Sequence, residues 1–494
     1  MTPLSDAWEE IAAAAEEAPA LARRLWEEAG AQATPAERRR GRRLSRLAAA
    51  AHDKAVLVAW IDRGFRPADP RRALGGMRAL LDAEGLPRFF SPPERLALRL
   101  LLRLGPLFPA AAVRAVFAGL RRESRHVILP GEPAPLAAFL EARRREGLRV
   151  NLNRIGEEVL GEAEARAFLE AYLADLRRPA VEQIAVKISS LVPWMEPLAF
   201  EENAARIEER LALLFGEAGR RRFLRADGRW VPKTVTLDME GFRDLALTAA
   251  AFRRALERPE LRGVFAGMAL QAYLPDSWGI LRELCAWAEA RVAGGGSPIK
   301  IRIVKGANLE MERLEAAHRN WPLACFEEKA ETDAQWKRMV AFLLDPARTR
   351  AVRPGIASHN PFDLAFACRL AERRGVKERI QIEMLEGMAN PLRRAIAARG
   401  FEVLTYAPTA ERRHFLAAIA YLVRRLDENT GRGHFLRHAG SLAPGDGAWQ
   451  ALAAAFRESA SRLILPPPAP HRRQDRSREP AGGGSGGLRI RGRR

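Results

Sequence analysis

Residues 299–308 read Ile299-Lys300-Ile301-Arg302-Ile303-Val304-Lys305-Gly306-Ala307-Asn308. The β-branched content specifies a strand, and Gly306 with the polar residues after it specifies the stop. Arg302 and Lys305 place two cations at the end of an otherwise apolar run, an expensive arrangement unless something anionic meets them. Arg302 alternates with Ile301 and Ile303 and faces the side opposite to them, while Lys305 falls at the rim beside Gly306. Lysine is scarce in this chain. Only eight of the 81 basic residues are lysines, and two stand in this run with a third, Lys187, in Ala185-Val186-Lys187-Ile188.

Similar β-prone runs recur at 149–155, 184–189, 234–239, 267–274, 355–360, 380–385 and 402–407, separated by longer helical stretches. Eight such βα units predict a closed (βα)8 TIM-type barrel rather than an open sheet. Alternate residues of barrel strands point inward, and functional ones gather at the carboxyl ends. Lys187, Asp238, Gln271, Tyr273, Arg302, His359 and Tyr406 occupy such positions, and their neighbours Val186, Ile188, Leu237, Leu270, Ile301 and Ile303 are apolar. Residues 1–148 read as helical throughout, with breaks at Pro67–Pro70 and Pro92-Pro93. The expected organisation is therefore an all-α region over 1–148, the barrel over 149–440, and a helix remnant with a flexible basic tail over 441–494. A final barrel helix is expected over 410–428.

The formal net charge is +20. The basic clusters lack interleaved aromatics or a nucleic-acid-binding motif, so nucleic acid is not expected as a partner. Weak contact with acidic lipid is the alternative use of that charge. The longest apolar stretches, 96–104 and 107–120, are interrupted by arginines, which argues against a transmembrane helix. The three cysteines are far apart and an acidic start replaces any leader pattern, so a reduced, cytoplasmic chain is expected.

Several residues carry more than one reading. Lys187 is either a salt-bridging residue at the barrel mouth, a ligand for an acidic substrate, or a Schiff-base nucleophile. His359 is a core histidine, a cofactor contact or, least expected, a metal ligand, because no second ligand stands at metal spacing near it. Tyr421, Arg424, Arg425 and Glu428 share neighbouring faces of one helix. They form either a solvated surface with Arg–Glu pairs or a bidentate carboxylate clamp. No Gly-x-Gly-x-x-Gly follows a strand, so a dinucleotide would need a non-Rossmann site.

The motifs Val186-Lys187-Ile188-Ser189, Leu270-Gln271-Ala272-Tyr273, Arg302-Ile303-Val304-Lys305-Gly306-Ala307, Ser358-His359-Asn360, Tyr406-Ala407-Pro408 and Tyr421-Leu422-Val423-Arg424-Arg425-Leu426-Asp427-Glu428-Asn429 resemble, in order and spacing, the proline dehydrogenase domain of bifunctional proline utilization A flavoenzymes. The resemblance covers about residues 150–440 and extends to Leu86–Pro92 and Arg125–Pro130. It implies a distorted barrel holding FAD, oxidation of L-proline to 1-pyrroline-5-carboxylate, and electron transfer to a membrane quinone. By matching positions, Lys187, Arg424 and Arg425 hold the substrate carboxylate, and Leu385, Tyr406 and Tyr421 pack around its ring. Arg302 approaches the flavin N5 region. Asp238, Gln271, Lys305, Gly306, Ala307, His359, Asn360 and Glu428 are the expected cofactor residues.

Two positions depart from the family pattern: Asn308 stands in place of a tyrosine, and Glu383 in place of glutamine, adding negative charge near the site. The aldehyde dehydrogenase half of the bifunctional enzymes is not seen in these 494 residues. They read as the first half of a two-step enzyme, a truncated product with a separate aldehyde dehydrogenase as one expected partner and a homo-oligomer as another. The rival readings are a Schiff-base barrel aldolase using Lys187 or Lys305, and a catalytically weak remnant that binds FAD or partner subunits.

Overall fold

A computed structural model describes residues 3–65, 67–87, 90–156, 158–306, 308–419, 422 and 434–472. Eight parallel strands close into a barrel in sequence order: β1 Arg149–Arg154, β2 Gln183–Val186, β3 Thr234–Leu237, β4 Gly267–Gln271, β5 Ile299–Val304, β6 Val352–Ala357, β7 Gln381–Leu385 and β8 Val403–Ala410. The seam is the pairing of β8 with β1, from Leu404 beside Arg149 to Thr409 beside Arg154. Helices surround the strands, as the alternation predicted. Ile299, Ile301 and Ile303 are fully buried against them, each such side chain contributing about 1.5–3 kcal/mol.

Strand ends differ from the sequence expectation. β2 stops at Val186 because the chain turns into a 3-10 helix at Ile188–Ser190, where the Ser190 hydroxyl donates to the Lys187 carbonyl at 2.7 Å. β4 stops at Gln271, so Tyr273 lies in the following loop, buried, rather than in the strand. β8 runs three residues further than expected, because Thr409 and Ala410 pair with Leu129 and Pro130. The helix expected from 410 therefore starts later, with helical backbone over 415–419.

The amino ends of the strands are closed by ion pairs. Arg149 meets Glu182 at 2.7 Å and also Glu402, Arg225 meets Glu182 at 2.8 Å, and Arg353 meets Glu402 at 2.8 Å. This end is a plug, and the open end is the opposite one.

The helical region before the barrel has two roles. Helix Pro3–Gln32 presents Ala14, Ala18, Leu21, Ala22 and Leu25, spaced three and four apart, to helices Pro361–Arg373 and Asn390–Ala398, and joins the main core. Helices Ala51–Ala59, Pro70–Glu84, Pro92–Leu104 and Pro109–Ser124 build a separate small core around Trp60, Met77 and Leu102, beside the barrel mouth. Beyond 440, where a helix remnant and a flexible tail were expected, the chain forms a helix and is described through residue 472. Helix Gly447–Ser461 sets Trp449 against Phe362 at 4.7 Å between ring centres. Arg472 donates to the Pro322 carbonyl at 2.7 Å and lies over the Phe242 and Trp321 rings.

Candidate active site

A cavity of about 1190 Å³ opens at the carboxyl ends of the strands. Its floor holds Lys187, Asp238, Gln271, Arg302, Lys305, Gly306, His359, Asn360, Leu385 and Tyr406, ten of the residues expected from sequence, and its roof comes from the helices over 35–124. Ala307, Tyr421, Arg424, Arg425 and Glu428 lie outside the described residues.

The centre of the floor is a charged row. Arg302 on β5 pairs through Nη2 with Asp238, at the end of β3, and the Tyr406 hydroxyl on β8 donates to the other Asp238 oxygen. The guanidinium carbon of Arg302 stands 5.1 Å from the Tyr406 ring centre. Burial works against the Arg302 charge, but Asp238 and Glu383 outweigh it and raise its pKa above the ordinary arginine value. Among the described residues, Arg302 Nε and Nη1 and Gln271 Oε1 are buried without hydrogen-bond partners, while Gln271 Nε2 donates to the Met239 carbonyl at 3.2 Å.

At the rim, Lys187 stands 3.4 Å from Glu240. Asn308 donates to the Glu240 carbonyl and lies just before helix Leu309–Arg319. It is outside the cavity lining. His359 Nε2 accepts the Leu385 backbone N–H at 2.9 Å, which leaves Nδ1 to carry the ring proton. Burial pushes this imidazole down to about 4, so it is neutral at physiological pH. Asn360 caps helix Pro361–Arg373 by accepting the Phe362 N–H at 3.0 Å.

Lys305 differs most from expectation. Its amine is held at 2.6 Å by both Asp333 and Asp363, from two outer helices, so its anions are protein carboxylates. Burial opposes its charge, yet the two carboxylates raise its pKa above the ordinary lysine value. That state opposes the neutral amine a Schiff base needs. Lys329 adds a further cation to this group through Asp333 and also lines the cavity, as do Met239, Ser358, Glu383 and His434. Sequence reading passed over Lys329 because it begins a helix, Lys329–Leu343, away from any strand end. Glu383, expected as an added negative charge, is met by Lys300 at 2.6 Å.

A closed parallel barrel with a plugged amino end, and a largely apolar cavity with charged groups on its floor at the carboxyl end, is the architecture of a barrel enzyme. The family model for proline dehydrogenase matches residues 137–438, and the chain belongs to that family. A proline dehydrogenase of Deinococcus radiodurans is 24% identical over 305 residues, which are 60% of this chain and 83% of that protein. Proline utilization A of Corynebacterium freiburgense is 33% identical with a TM-score of 0.61, covering 76% of this chain and 35% of its own. The protein from Bdellovibrio bacteriovorus, solved after inactivation by N-propargylglycine, has a TM-score of 0.73 at 23% identity, covering 92% of this chain. This chain spans 35% and 45% of the length of those two proteins.

Proposed function

We propose that this chain is an FAD-dependent L-proline dehydrogenase. The observation that carries the reading is the meeting of Lys187, Asp238, Arg302 and Tyr406, from four different strands or strand ends, on the floor of one cavity. The cavity, about 1190 Å³, exceeds the roughly 300–1,000 Å³ typical of small-ligand pockets and suits a dinucleotide. The unpartnered polar atoms of Gln271 and Arg302 fit a polar heterocycle. Gln271, Arg302, Gly306, His359 and Asn360 would hold the flavin, with Asp238 supporting Arg302. Lys305, already doubly paired, contributes mainly by fixing the rim, and Lys329 is the added candidate for an anionic part of the cofactor.

FAD, when bound, supplies the acceptor for the two electrons that proline gives up. The chain's own residues do the positioning. Lys187 at the mouth, with Arg424 and Arg425, anchors the substrate carboxylate, and Leu385, Tyr406 and Tyr421 exclude water around the ring. Holding the reacting C–H bond in one geometry is the larger part of such catalysis. Proline loses two electrons and two protons to give 1-pyrroline-5-carboxylate. Adding L-proline anaerobically to the flavin-loaded chain is expected to bleach the oxidised flavin spectrum, and a spectrum that stays oxidised rejects the reading. Arg424→Ala and Arg425→Ala are each expected to weaken proline binding by about 1.5–3 kcal/mol, the worth of a charge-assisted hydrogen bond. Unchanged affinity in both removes the carboxylate clamp.

The proposed acceptor beyond FAD is a membrane quinone, which requires contact with a bilayer. No helix among the described residues is long and apolar enough to cross one. Helix Pro92–Leu104 and the turn after it leave Leu96, Leu100, Leu104, Leu107 and Phe108 between 51% and 71% exposed. Residues 95–122 contain six arginines and no acidic residue. An apolar stripe edged by arginine fits the interface of an anionic membrane. Leu100, Leu104 and Phe108 replaced together by Glu are expected to abolish cosedimentation with phosphatidylglycerol vesicles. Equal binding of this variant and the wild type places any contact elsewhere.

A further inference from the structure

We propose that Lys300 and Glu383 are a positioning pair for Arg302, and that their opposite charges tune the redox potential of a flavin at the mouth in opposite directions. The flavin part rests on the cofactor reading above.

β5 sends Lys300 and Arg302 to the same inner face, two residues apart, while Glu383 comes from β7. β6 lies between them and carries Gly355 where they cross. A Cβ on Gly355 would stand 2.5 Å from Glu383 Oε1, 3.0 Å from Lys300 Cε and 3.2 Å from the Arg302 Cα. The missing side chain is therefore what lets β5 and β7 side chains meet across an intervening strand. In the gap, Lys300 Nζ sits 2.6 Å from Glu383 Oε1, and each side chain is 2% exposed. Lys300 also donates to Gln381. The second oxygen of Glu383 lies 3.6 Å from Arg302 Nη1.

The result is one continuous row: Lys300, Glu383, Arg302, Asp238, Tyr406. Each carboxylate stands between two partners, and the two cations balance the two anions. Arg302 thus has a hydrogen-bonded carboxylate on one side, Asp238 with Tyr406 behind it, and on the other a carboxylate in electrostatic contact at 3.6 Å, Glu383 with Lys300 behind it. Burial pulls the Lys300 amine down to about 8, and the Glu383 carboxylate beside it opposes that shift.

Glu383 lines the cavity, whereas Lys300 lies one step behind it and is not among the lining residues. Neither has a part in the substrate contacts described above. A buried ion pair is not a strong source of net stability, since apolar replacement of both partners is often neutral or stabilising. Its geometry here points instead to Arg302. A fixed charge in a low-dielectric interior acts on a nearby redox couple with a sign set by the charge. Removing the Glu383 charge favours the reduced flavin, and removing the Lys300 charge favours the oxidised one.

The test is the midpoint potential of the FAD-loaded full chain at pH 7, measured against reference dyes. Glu383→Gln is expected to make the flavin about tenfold easier to reduce, about 30 mV upward for a two-electron couple. Lys300→Met is expected to give a comparable shift downward, and the double variant to return within threefold of the wild type. Shifts of one sign, no shift, or a double variant that fails to cancel overturn the proposal, because a merely structural pair predicts destabilisation without opposed potentials. Where a single variant does not fold, Glu383→Asp keeps the charge and withdraws it from Arg302. A smaller upward shift then supports the proposal, and an unchanged potential overturns it. A wild-type chain that takes up no flavin overturns both this and the cofactor reading, and is told apart because no flavin spectrum forms.

Discussion

Arg302→Met is expected to lower the unfolding free energy of the flavin-free chain by about 3–5 kcal/mol, the usual cost of removing one member of a buried ion pair. The reason is what it leaves behind. Among the described residues, Asp238 keeps only the Tyr406 hydroxyl and Glu383 only Lys300, both in an interior that stabilises an uncompensated carboxylate poorly. Methionine restores much of the lost volume, so a cavity contributes little and the loss reports on charge. Urea unfolding checks this: the midpoint falls while the dependence on urea stays the same. A loss below about 1 kcal/mol, the upper range for an exposed pair, would falsify the tight coupling of the row. The same variant is expected to retain less FAD after gel filtration.

The second large effect is expected of Gly306→Ala, at the end of β5. Gly306 has φ of +142°, where an L side chain is strained, and a Cβ there would meet the Tyr273 ring at 2.4 Å. Backbone strain of about 1–3 kcal/mol and overpacking of about 1–3 kcal/mol together predict a loss of about 2–6 kcal/mol. The two causes separate in a double variant. Tyr273→Leu with Gly306→Ala relieves the clash and leaves the strain, so alanine at 306 costs less in that background. Equal costs in both backgrounds assign the whole effect to φ.

The barrel was legible in the sequence because its outer surface is written in isoleucine. The alternation of Ile299, Ile301 and Ile303 with Lys300, Arg302 and Val304 is a period that a helix cannot satisfy, and helices cover its apolar side. The same period located Asp238, Gln271, Arg302 and Tyr406 correctly on one floor. Partners were harder. Lys305 was recognisable as a rim cation, but Asp333 and Asp363 lie on helices, with no spacing that ties them to it. Lys300 shares its face with Arg302, so its inward direction was available from alternation, whereas its dependence on Gly355 is a property of packing between three strands. Helix Pro3–Gln32 shows its apolar stripe plainly, yet a stripe does not name the surface it will cover. Strand ends were misplaced where local hydrogen bonds took over, as at Lys187 and Ser190, or where a distant dipeptide extended the ladder, as at Leu129 and Pro130.

The plug at the amino end joins residues that lie far apart along the chain. Arg149 opens the first strand, but one of its two carboxylates, Glu402, arrives just before the last. Arg353 depends on the same late residue. One carboxylate beside the last strand therefore serves the first strand and the sixth together. The last strand to be synthesised brings the charge that ties the barrel's beginning to its end.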